Sequence, residues 1–272
     1  MIAIIGGHGR LGRAISRIYT EDTVHCVDRD VYLSWASSNS GDDIVNFLEQ
    51  HGLANGTVFV TAGLLDPNLS SEALFAANFD LPRNVIEAAA RISAKVVTFG
   101  TIMERVPGAG NSYIQSKREL ARYVIENPEF HALHFQIHTL YGAGEPSSFM
   151  FLGLVLDAIR RDAEFRMTQG RQLREYHHVD DDASAVRHLL REGASGIIDL
   201  SHGKPTQLRE LAESIFVALG KRDLLQLGAL PEPAGDNYET VFSIPPKLFS
   251  CEFRETLPSV TDYMRACLAL RK

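Results

Sequence analysis

The chain has 272 residues, of which 45% are hydrophobic and 22% charged, with a formal net charge of −7. This is the composition of a folded globular protein. The negative charge argues against a general nucleic-acid surface, and the lack of any apolar run of about 18 residues argues against a membrane span. The scattered cysteines Cys26, Cys251 and Cys267 have neither disulfide nor zinc spacing, so we expect a reducing, cytoplasmic compartment.

Apolar strand patterns alternate with helical patterns over the first 200 residues. We predict strands over Ile2–Ile5, Thr23–Val27, Thr57–Thr61, Lys95–Phe99, Leu133–His138 and Ile197–Leu200. We predict helices over Leu11–Tyr19, Asp42–Gln50, Ser71–Arg91 with a bend near Pro82, Tyr113–Glu126 and Asp180–Arg191. Residues 29–40 read as irregular. This alternation predicts an α/β fold with a doubly wound parallel sheet.

The pattern changes after Tyr141. A glycine-rich loop precedes a predicted helix over Ser148–Arg161 and a short strand over Phe165–Thr168, and a further helix is predicted over Thr206–Leu219. The segment from Lys221 onward is proline-dotted and less periodic. We therefore predict that residues 1–144 and 176–203 form the large domain, and that residues 145–175 and 204–272 form a small C-terminal α/β lobe.

The first strand runs directly into a glycine-rich turn with the sequence GGHGRLG. Gly6, Gly9 and Gly12 allow a tight turn, close approach of the backbone to a pyrophosphate, and close packing of helix on strand. The N-terminus of the helix that follows would attract the phosphates. Asp28 closes the second strand, where a carboxylate accepts hydrogen bonds from adenine ribose hydroxyls and repels a 2′-phosphate. We predict a Rossmann dinucleotide site that favours NAD(H).

Basic residues beside this site leave NADP(H) possible. Arg29 directly follows Asp28, and Arg10 and Arg13 lie in or next to the glycine turn. A guanidinium at either place could hold a 2′-phosphate. A plain turn residue is the alternative reading of Asp28.

Tyr113 and Lys117 lie four residues apart on a predicted helix and so share one face. An ammonium beside a phenol stabilises the phenolate, so we expect the pKa of Tyr113 to be lowered. A phenol of this kind can transfer a proton to or from a sugar or alcohol oxygen. Because the same spacing arises by chance on surface helices, it indicates catalysis only in combination with the glycine turn.

Taken together, the motifs resemble the extended short-chain dehydrogenase/reductase family, which includes nucleotide-sugar epimerases, dehydratases and 4-ketoreductases. The resemblance covers most of the chain to about residue 200. It rests on the GGHGRLG turn, Thr61-Ala62-Gly63, Ala77-Asn78-Phe79, Thr98-Phe99-Gly100-Thr101, the Tyr-x-x-Ser-Lys run, Tyr141-Gly142-Ala143-Gly144, and the run from Arg174 to Asp181.

The resemblance implies roles for individual residues. Tyr113 is the expected general acid/base, Lys117 is expected to hydrogen-bond the nicotinamide ribose, and Thr101 is expected to hold the substrate oxygen. Arg174 is expected to bind the substrate diphosphate, and Thr139 occupies a position that contacts the nucleotide sugar in relatives. The expected cofactor contacts are Gly6, Gly9, Arg10, Leu11, Gly12, Asp28, Arg29, Ala62, Gly63, Asn78, Tyr113 and Lys117.

Several of these residues have a plainer alternative. Thr101 could be a turn hydroxyl, Asn78 a buried amide inside a helix, and Arg174 a solvated surface arginine. By the same resemblance, the large domain would bind the dinucleotide, and the small lobe would bind the substrate.

One departure from the family pattern narrows the chemistry. In the 4,6-dehydratases of this family, an Asp-Glu pair directly follows the catalytic threonine and supplies the acid and base for loss of water. Ile102 and Met103 occupy those positions here and cannot transfer protons. We expect Glu104, one place further on, to be a surface acid that points elsewhere. Dehydration is therefore not expected.

We predict an NAD(P)H-dependent reductase of the 4-keto group of a nucleotide-diphosphate 6-deoxy sugar, an activity of deoxysugar and glycan biosynthesis. Two alternatives stay open: an NAD-dependent nucleotide-sugar epimerase with the same residues, and a non-catalytic NAD(P)-binding sensor or regulatory subunit. The family also implies a homodimer. We expect no metal site, because the neighbouring His177 and His178 would point to opposite faces of a strand.

Overall fold

The computed structural model describes residues 1–108 and 110–270. Its strands are β1 (Ile2–Ile5), β2 (Val24–Val27), β3 (Thr57–Val60), β4 (Lys95–Thr101), β5 (Leu133–Ile137), β6 (Thr139–Tyr141), β7 (Phe165–Arg166), β8 (Leu173–Arg174), β9 (Tyr176–His178), β10 (Gly196–Leu200), β11 (Thr206–Gln207) and β12 (Leu225–Gln226). Its α-helices are α1 (Arg10–Ile18), α2 (Arg29–Tyr32), α3 (Gly41–Gln50), α4 (Ser71–Phe75), α5 (Leu81–Ala90), α6 (Ser112–Glu126), α7 (Phe151–Arg161), α8 (Val179–Arg191), α9 (Leu208–Ala218) and α10 (Thr256–Ala269).

A six-stranded parallel sheet has the strand order β10-β5-β4-β3-β1-β2. The chain runs from β1 outward to β2 and then returns to the other side of β1 to form β3. The last residues of these strands are in register, with Ile5 paired to both Val27 and Val60. Ligands of open α/β sheets bind at carboxyl ends where the strand order reverses, which here is between β1 and β3. The predicted fold class is confirmed.

The chain divides into two compact units. Unit 1 comprises Met1–Arg105, Ala109–Ile137 and Ala183–Leu200, and it contains the six-stranded sheet. All four residues of β1 are buried in its core, as expected for a parallel strand covered on both faces.

Unit 2 comprises Val106–Gly108, His138–Asp182 and Ser201–Lys272. It holds the short pairings β6–β9, β7–β12 and β8–β11 and has its own apolar core, in which Val155, Phe216 and Val260 are fully buried. The predicted domain boundaries, and the binding roles assigned to the two domains, stay predictions.

Two segments that the sequence indicated as irregular are helical. Residues 29–40 contain α2 and a 3₁₀ turn at Leu33–Ala36, where burial of Trp35 fixes the chain. The C-terminal helix α10 buries Val260, Met264 and Cys267, which recur at helical spacing. Pro258 obscured this helix in the sequence, yet proline is tolerated in a first turn, where its missing N–H has no intrahelical acceptor.

The bend expected near Pro82 has a different position and cause. The helix between residues 71 and 90 is interrupted by a π-helical turn at Ala76–Asp80, and Pro82 lies in the first turn of α5. The turn therefore precedes the proline and contains Asn78, which is fully buried.

Within the described part of the chain, no helix is both long and apolar enough to cross a membrane.

Candidate active site

The glycine turn packs tightly against the ends of two strands. Gly6 has φ +87°, and a Cβ there would lie 2.5 Å from the main-chain nitrogen of Ala62. A Cβ on Gly12 would lie 2.4 Å from the Gly6 carbonyl oxygen. A Cβ on Gly9, by contrast, would meet only that same oxygen, at 3.1 Å, among the described residues. The open side of Gly9 and the N-terminus of α1 together fit a pyrophosphate.

Asp28 is the N-cap residue of α2, and its side chain makes no capping hydrogen bond. Its carboxylate is 80% exposed and lies 3.5 Å from Nε2 of His8, a residue of the glycine turn. The carboxylate thus stands beside the turn and is accessible to a ribose, as the cofactor prediction requires. The neighbouring Arg29 is exposed as well. His8 was not predicted, although its place between two glycines of the motif was a usable signal.

Asn78 connects the loop after β3 to α6. Its Oδ1 accepts from the N–H of Leu64 at 3.0 Å, and its Nδ2 donates to the Leu64 carbonyl at 2.8 Å and to Oγ of Ser116 at 3.2 Å. The side chain therefore holds the segment that contains Ala62 and Gly63 in place. Asn78 is 0% exposed, so this arrangement favours the reading as a buried helix amide that supports the cofactor segment.

Helix α6 presents the predicted catalytic pair. Asn111 caps it by accepting from the N–H of Ile114 at 2.9 Å, and Tyr113 and Lys117 follow one turn apart. Nζ of Lys117 is buried and donates to the carbonyl oxygen of Phe99 in β4 at 2.8 Å. The phenol of Tyr113 lies near the side chain of Thr101, at the carboxyl end of β4. Unit 1 therefore brings Thr101, Tyr113 and Lys117 together.

The pKa of Tyr113 is opposite in direction to the sequence expectation. Burial and the nearby charge of Glu104 raise it to about 12, and the hydrogen bond from Thr101 only partly opposes them. Lys117 is not among the groups that shift this pKa, and burial lowers the pKa of Lys117 itself to about 8. The expected lowering of the Tyr113 pKa by Lys117 was therefore wrong. The phenol is protonated at neutral pH and can donate a proton.

Glu104 was expected to be a surface acid, and this expectation was wrong. Its side chain is 2% exposed. One oxygen accepts from the N–H of Thr101 at 2.6 Å, and the other accepts from the Gln136 amide at 2.7 Å. Burial alone would raise the pKa of Glu104, but His134 and these donors outweigh it and lower the pKa.

Two of the three predicted substrate residues, Thr139 and Arg174, lie in unit 2. Thr139 begins β6, and its N–H donates to the carbonyl of Glu175 at 3.2 Å. The guanidinium of Arg174 is only 20% exposed and donates to Asp236 at 2.5 Å. A solvated surface arginine is thus the wrong alternative. Binding of a diphosphate by Arg174 stays a prediction. The guanidinium would have to leave Asp236 or contact Asp236 and the diphosphate together.

Unit 2 also contains a buried cluster of histidines and acids. His138, Glu175 and His177 offer ligand atoms within 4.8 Å of one another. In the structure these atoms bond to protein groups: His177 lies between Asp182 at 2.6 Å and Glu175 at 3.0 Å. Glu175 also accepts the main-chain N–H groups of residues 202 and 203, at 2.8 and 3.1 Å.

The rings of His138 and His177 stack nearly parallel at 5.1 Å, and Nε2 of both faces the same oxygen of Glu175, at 3.8 and 3.0 Å. Nε2 of His138 is also hydrogen-bonded to Oγ of Ser201 at 2.8 Å. We therefore interpret the cluster as a closed hydrogen-bonded network. The prediction of no metal stays a prediction.

With this geometry established, comparisons with known proteins place the chain. A model of the NAD dependent epimerase/dehydratase family matches residues 2–200. The chain belongs to this family. The match includes every residue predicted above to act in catalysis, cofactor binding or substrate binding.

Individual relatives are distant. CDP-abequose synthase of Salmonella muenchen is 26% identical over 164 residues, and the match spans 56% of this chain and 56% of that protein. The structure of Pal from Bacillus thuringiensis is 15% identical with a TM-score of 0.80, covering 100% of this chain and 99% of that one. UDP-glucose 4-epimerase of Thermus thermophilus, in complex with NAD, is 17% identical with a TM-score of 0.73, covering 97% and 98%. These structural likenesses establish the fold.

Proposed function

We propose that this protein is an NAD(P)H-dependent reductase of the 4-keto group of a nucleotide-diphosphate 6-deoxy sugar, with Tyr113 as the proton donor. The observation that carries the proposal is the placement of Tyr113 and Lys117 on one face of α6 beside β4, where Thr101 ends the strand and Lys117 donates to the Phe99 carbonyl. Burial keeps the pKa of Tyr113 high, so its phenol carries a proton to donate. Buried Ile102 and partly buried Met103 supply no second proton-transfer group next to Thr101, which favours reduction over dehydration. The partial likeness to CDP-abequose synthase supports the same substrate class.

The residues of unit 1 fit a dinucleotide. The turn containing Gly6, Gly9 and Gly12 would hold the pyrophosphate, exposed Asp28 would hold the adenine ribose, and Lys117 would hold the nicotinamide ribose. A reduced nicotinamide, when bound, supplies the hydride for such a reduction. NAD(H) is favoured by Asp28 and by the NAD bound to the Thermus epimerase. NADP(H) is the alternative, with Arg29 as the 2′-phosphate contact.

The proton chemistry belongs to the chain itself. The hydroxyl of Thr101 would hydrogen-bond the ketone oxygen and orient it toward Tyr113. The phenol of Tyr113 would give its proton to that oxygen as negative charge develops, which a donor protonated at neutral pH can do.

The test follows the absorbance of NADH and of NADPH with a panel of dTDP-, CDP-, UDP- and GDP-4-keto-6-deoxy sugars. We expect consumption of one cofactor with one nucleotide series. Interconversion of sugar stereoisomers without net cofactor consumption would replace the proposal by an epimerase. Tight dinucleotide binding with no turnover on any sugar would replace it by a sensor or regulatory subunit. The homodimer and the cytoplasmic location stay predictions.

A further inference from the structure

Glu104 closes a small ring with the end of β4. The chain makes a single 3₁₀ turn over Ile102–Arg105, which brings the carboxylate back to the main-chain N–H of Thr101 at 2.6 Å. A carboxylate that accepts a main-chain N–H makes a strong, charge-assisted hydrogen bond. The N–H of Met103 in turn donates to Oγ1 of Thr101 at 3.3 Å. The ring therefore fixes both the main chain and the hydroxyl of Thr101.

Gly100 leaves the room that this ring requires. A Cβ at position 100 would lie 2.1 Å from Oε1 of Glu104 and 2.4 Å from Nε2 of His134. Neither distance is compatible with a real side chain, so the buried carboxylate and the glycine depend on each other. The inward position of Glu104 therefore requires glycine at position 100, at the end of β4.

The charge of Glu104 acts on the predicted catalytic pair. It raises the pKa of Tyr113, and it opposes the lowering of the Lys117 pKa that burial causes. Lys117 is only 7% exposed, and a buried ammonium is stable only with a compensating anion or good acceptors. The charged and titratable groups around Glu104 are His134 of β5, then Tyr113, Lys117 and Arg118 of α6, and the adjacent Arg105, which pairs with Asp199.

We propose that Glu104 is a positioning residue of the active site, whose carboxylate anchors Thr101 and balances the charge of the Tyr113–Lys117 pair. The effect of Glu104 on turnover rests on the proposed reductase function. Its effect on the titration of Lys117 can be measured in the protein alone. Glu104 lies one residue beyond the two positions that carry the Asp-Glu pair in dehydratases of the family, and its carboxylate is turned inward to the main chain of Thr101.

The first test needs no substrate. NMR of protein carrying ¹³Cε-labelled lysine follows the titration of Lys117, whose resonance is assigned by its loss in Lys117→Arg. We expect a midpoint near 8 in the wild type, and a midpoint lower by about one pH unit in Glu104→Gln, since removal of a nearby opposite charge typically has an effect of that size. Glu119→Gln on the same helix, which neutralises an acid paired with Arg122, is the matched control and leaves the midpoint unchanged.

The second test measures turnover and separates anchoring from charge. Glu104→Asp keeps the charge but shortens the reach to Thr101, so we expect kcat to fall about tenfold with the cofactor KM unchanged. In Glu104→Gln the alkaline limb of the kcat profile moves to lower pH together with the Lys117 midpoint. An unchanged midpoint in folded Glu104→Gln overturns the charge role, and an unchanged kcat in Glu104→Asp overturns the anchoring role.

Other outcomes are also decisive. If no keto sugar is reduced, the proposed function fails, while the NMR titration still decides the charge role of Glu104. If Glu104→Gln does not fold, Glu104→Asp carries both decisions: wild-type kcat in that variant overturns the anchoring role, and a Lys117 midpoint equal to that of the wild type, despite the displaced carboxylate, overturns the charge role.

Discussion

Glu104 of unit 1 and Glu175 of unit 2 are both buried acids, but their neighbours differ. Glu175 accepts hydrogen bonds from an imidazole and from two main-chain N–H groups, inside a stack of histidine rings. Glu104 accepts from one main-chain N–H and one amide, and its charge reaches Tyr113 and Lys117. The role of each buried carboxylate thus depends on its neighbours. Glu175 completes a closed hydrogen-bonded network, whereas Glu104 lies beside the predicted catalytic pair.

The histidine network holds a charge as well. His177 lies between Asp182 and Glu175, and these acids raise its pKa to about 9 against the opposing effect of burial. The pKa values of its neighbours His138 and His202 are shifted the other way, to about 3 and about 4, chiefly by burial. At neutral pH the cluster thus carries one imidazolium between two acids, and its stability depends on that arrangement.

The largest effect is expected at Tyr113, the proposed proton donor of unit 1. Tyr113→Phe should lower turnover on the true substrate about 10³-fold, because general acid catalysis contributes on that scale. Thermal unfolding should change little. Tyr123→Phe, the same change on the same helix at a phenol that donates to Glu87, is the control. Near wild-type turnover of the Tyr113→Phe variant would remove Tyr113 as the proton donor.

The next effect concerns stability in unit 2. Glu175→Gln should lower the free energy of unfolding by about 3 kcal/mol, because it leaves a buried imidazolium with one acid instead of two. Urea denaturation measures this change. Glu213→Gln, at a surface pair with Arg209, should cost less than about 1 kcal/mol. Equal losses in the two variants would mean that Glu175 contributes no more than a surface acid.

Gly100→Ala tests the packing around Glu104. The added methyl group should cost about 1 to 3 kcal/mol of unfolding free energy by overpacking and should lower kcat as well, since Glu104 must move. Gly41→Ala is the matched control, because a Cβ there lies 3.7 Å from its nearest contact, Arg91. A variant that loses stability but keeps full kcat would separate the packing of Glu104 from catalysis.

The smallest effect is the pH dependence of stability. The folded pKa of His177 lies above its ordinary value of 6.5, so its contribution is complete below pH 6.5 and is lost as pH rises through about 9. The difference in unfolding temperature between the wild type and His177→Gln should therefore shrink over this window. A difference that stays constant or grows from pH 7 to pH 9 would show that His177 is neutral in the folded protein.

The sheet was predictable because its strands are continuous apolar runs between turn residues, and the family because the GGHGRLG turn and the Tyr-x-x-Ser-Lys run are local patterns. Helix α10 was missed because Pro258 resembles a helix breaker unless its place in the first turn is known. Residues 29–40 were missed because their short helices are fixed by burial of Trp35, a tertiary effect.

The sequence predicted which residues form the candidate site better than it predicted their pKa values. Tyr113 and Lys117 are adjacent on one face, as helical spacing requires, but spacing does not reveal burial. Their pKa values follow from desolvation and from Glu104, whose return to Thr101 depends on the 3₁₀ turn and on the space at Gly100. A local sequence pattern does not show that the Glu104 carboxylate folds back onto Thr101.

The π-helical turn at Ala76–Asp80 has a consequence for how this chain tolerates change in length. A π turn holds one more residue than the α-helix it interrupts. Deleting a single residue from this segment would restore a regular helix and leave α4 and α5 nearly in their present rotational register, because the extra residue is accommodated within the one π turn. The loss would fall on Asn78, which lies inside the π turn and holds Leu64, so losing one codon here would disturb the loop after β3 more than the packing of the two flanking helices.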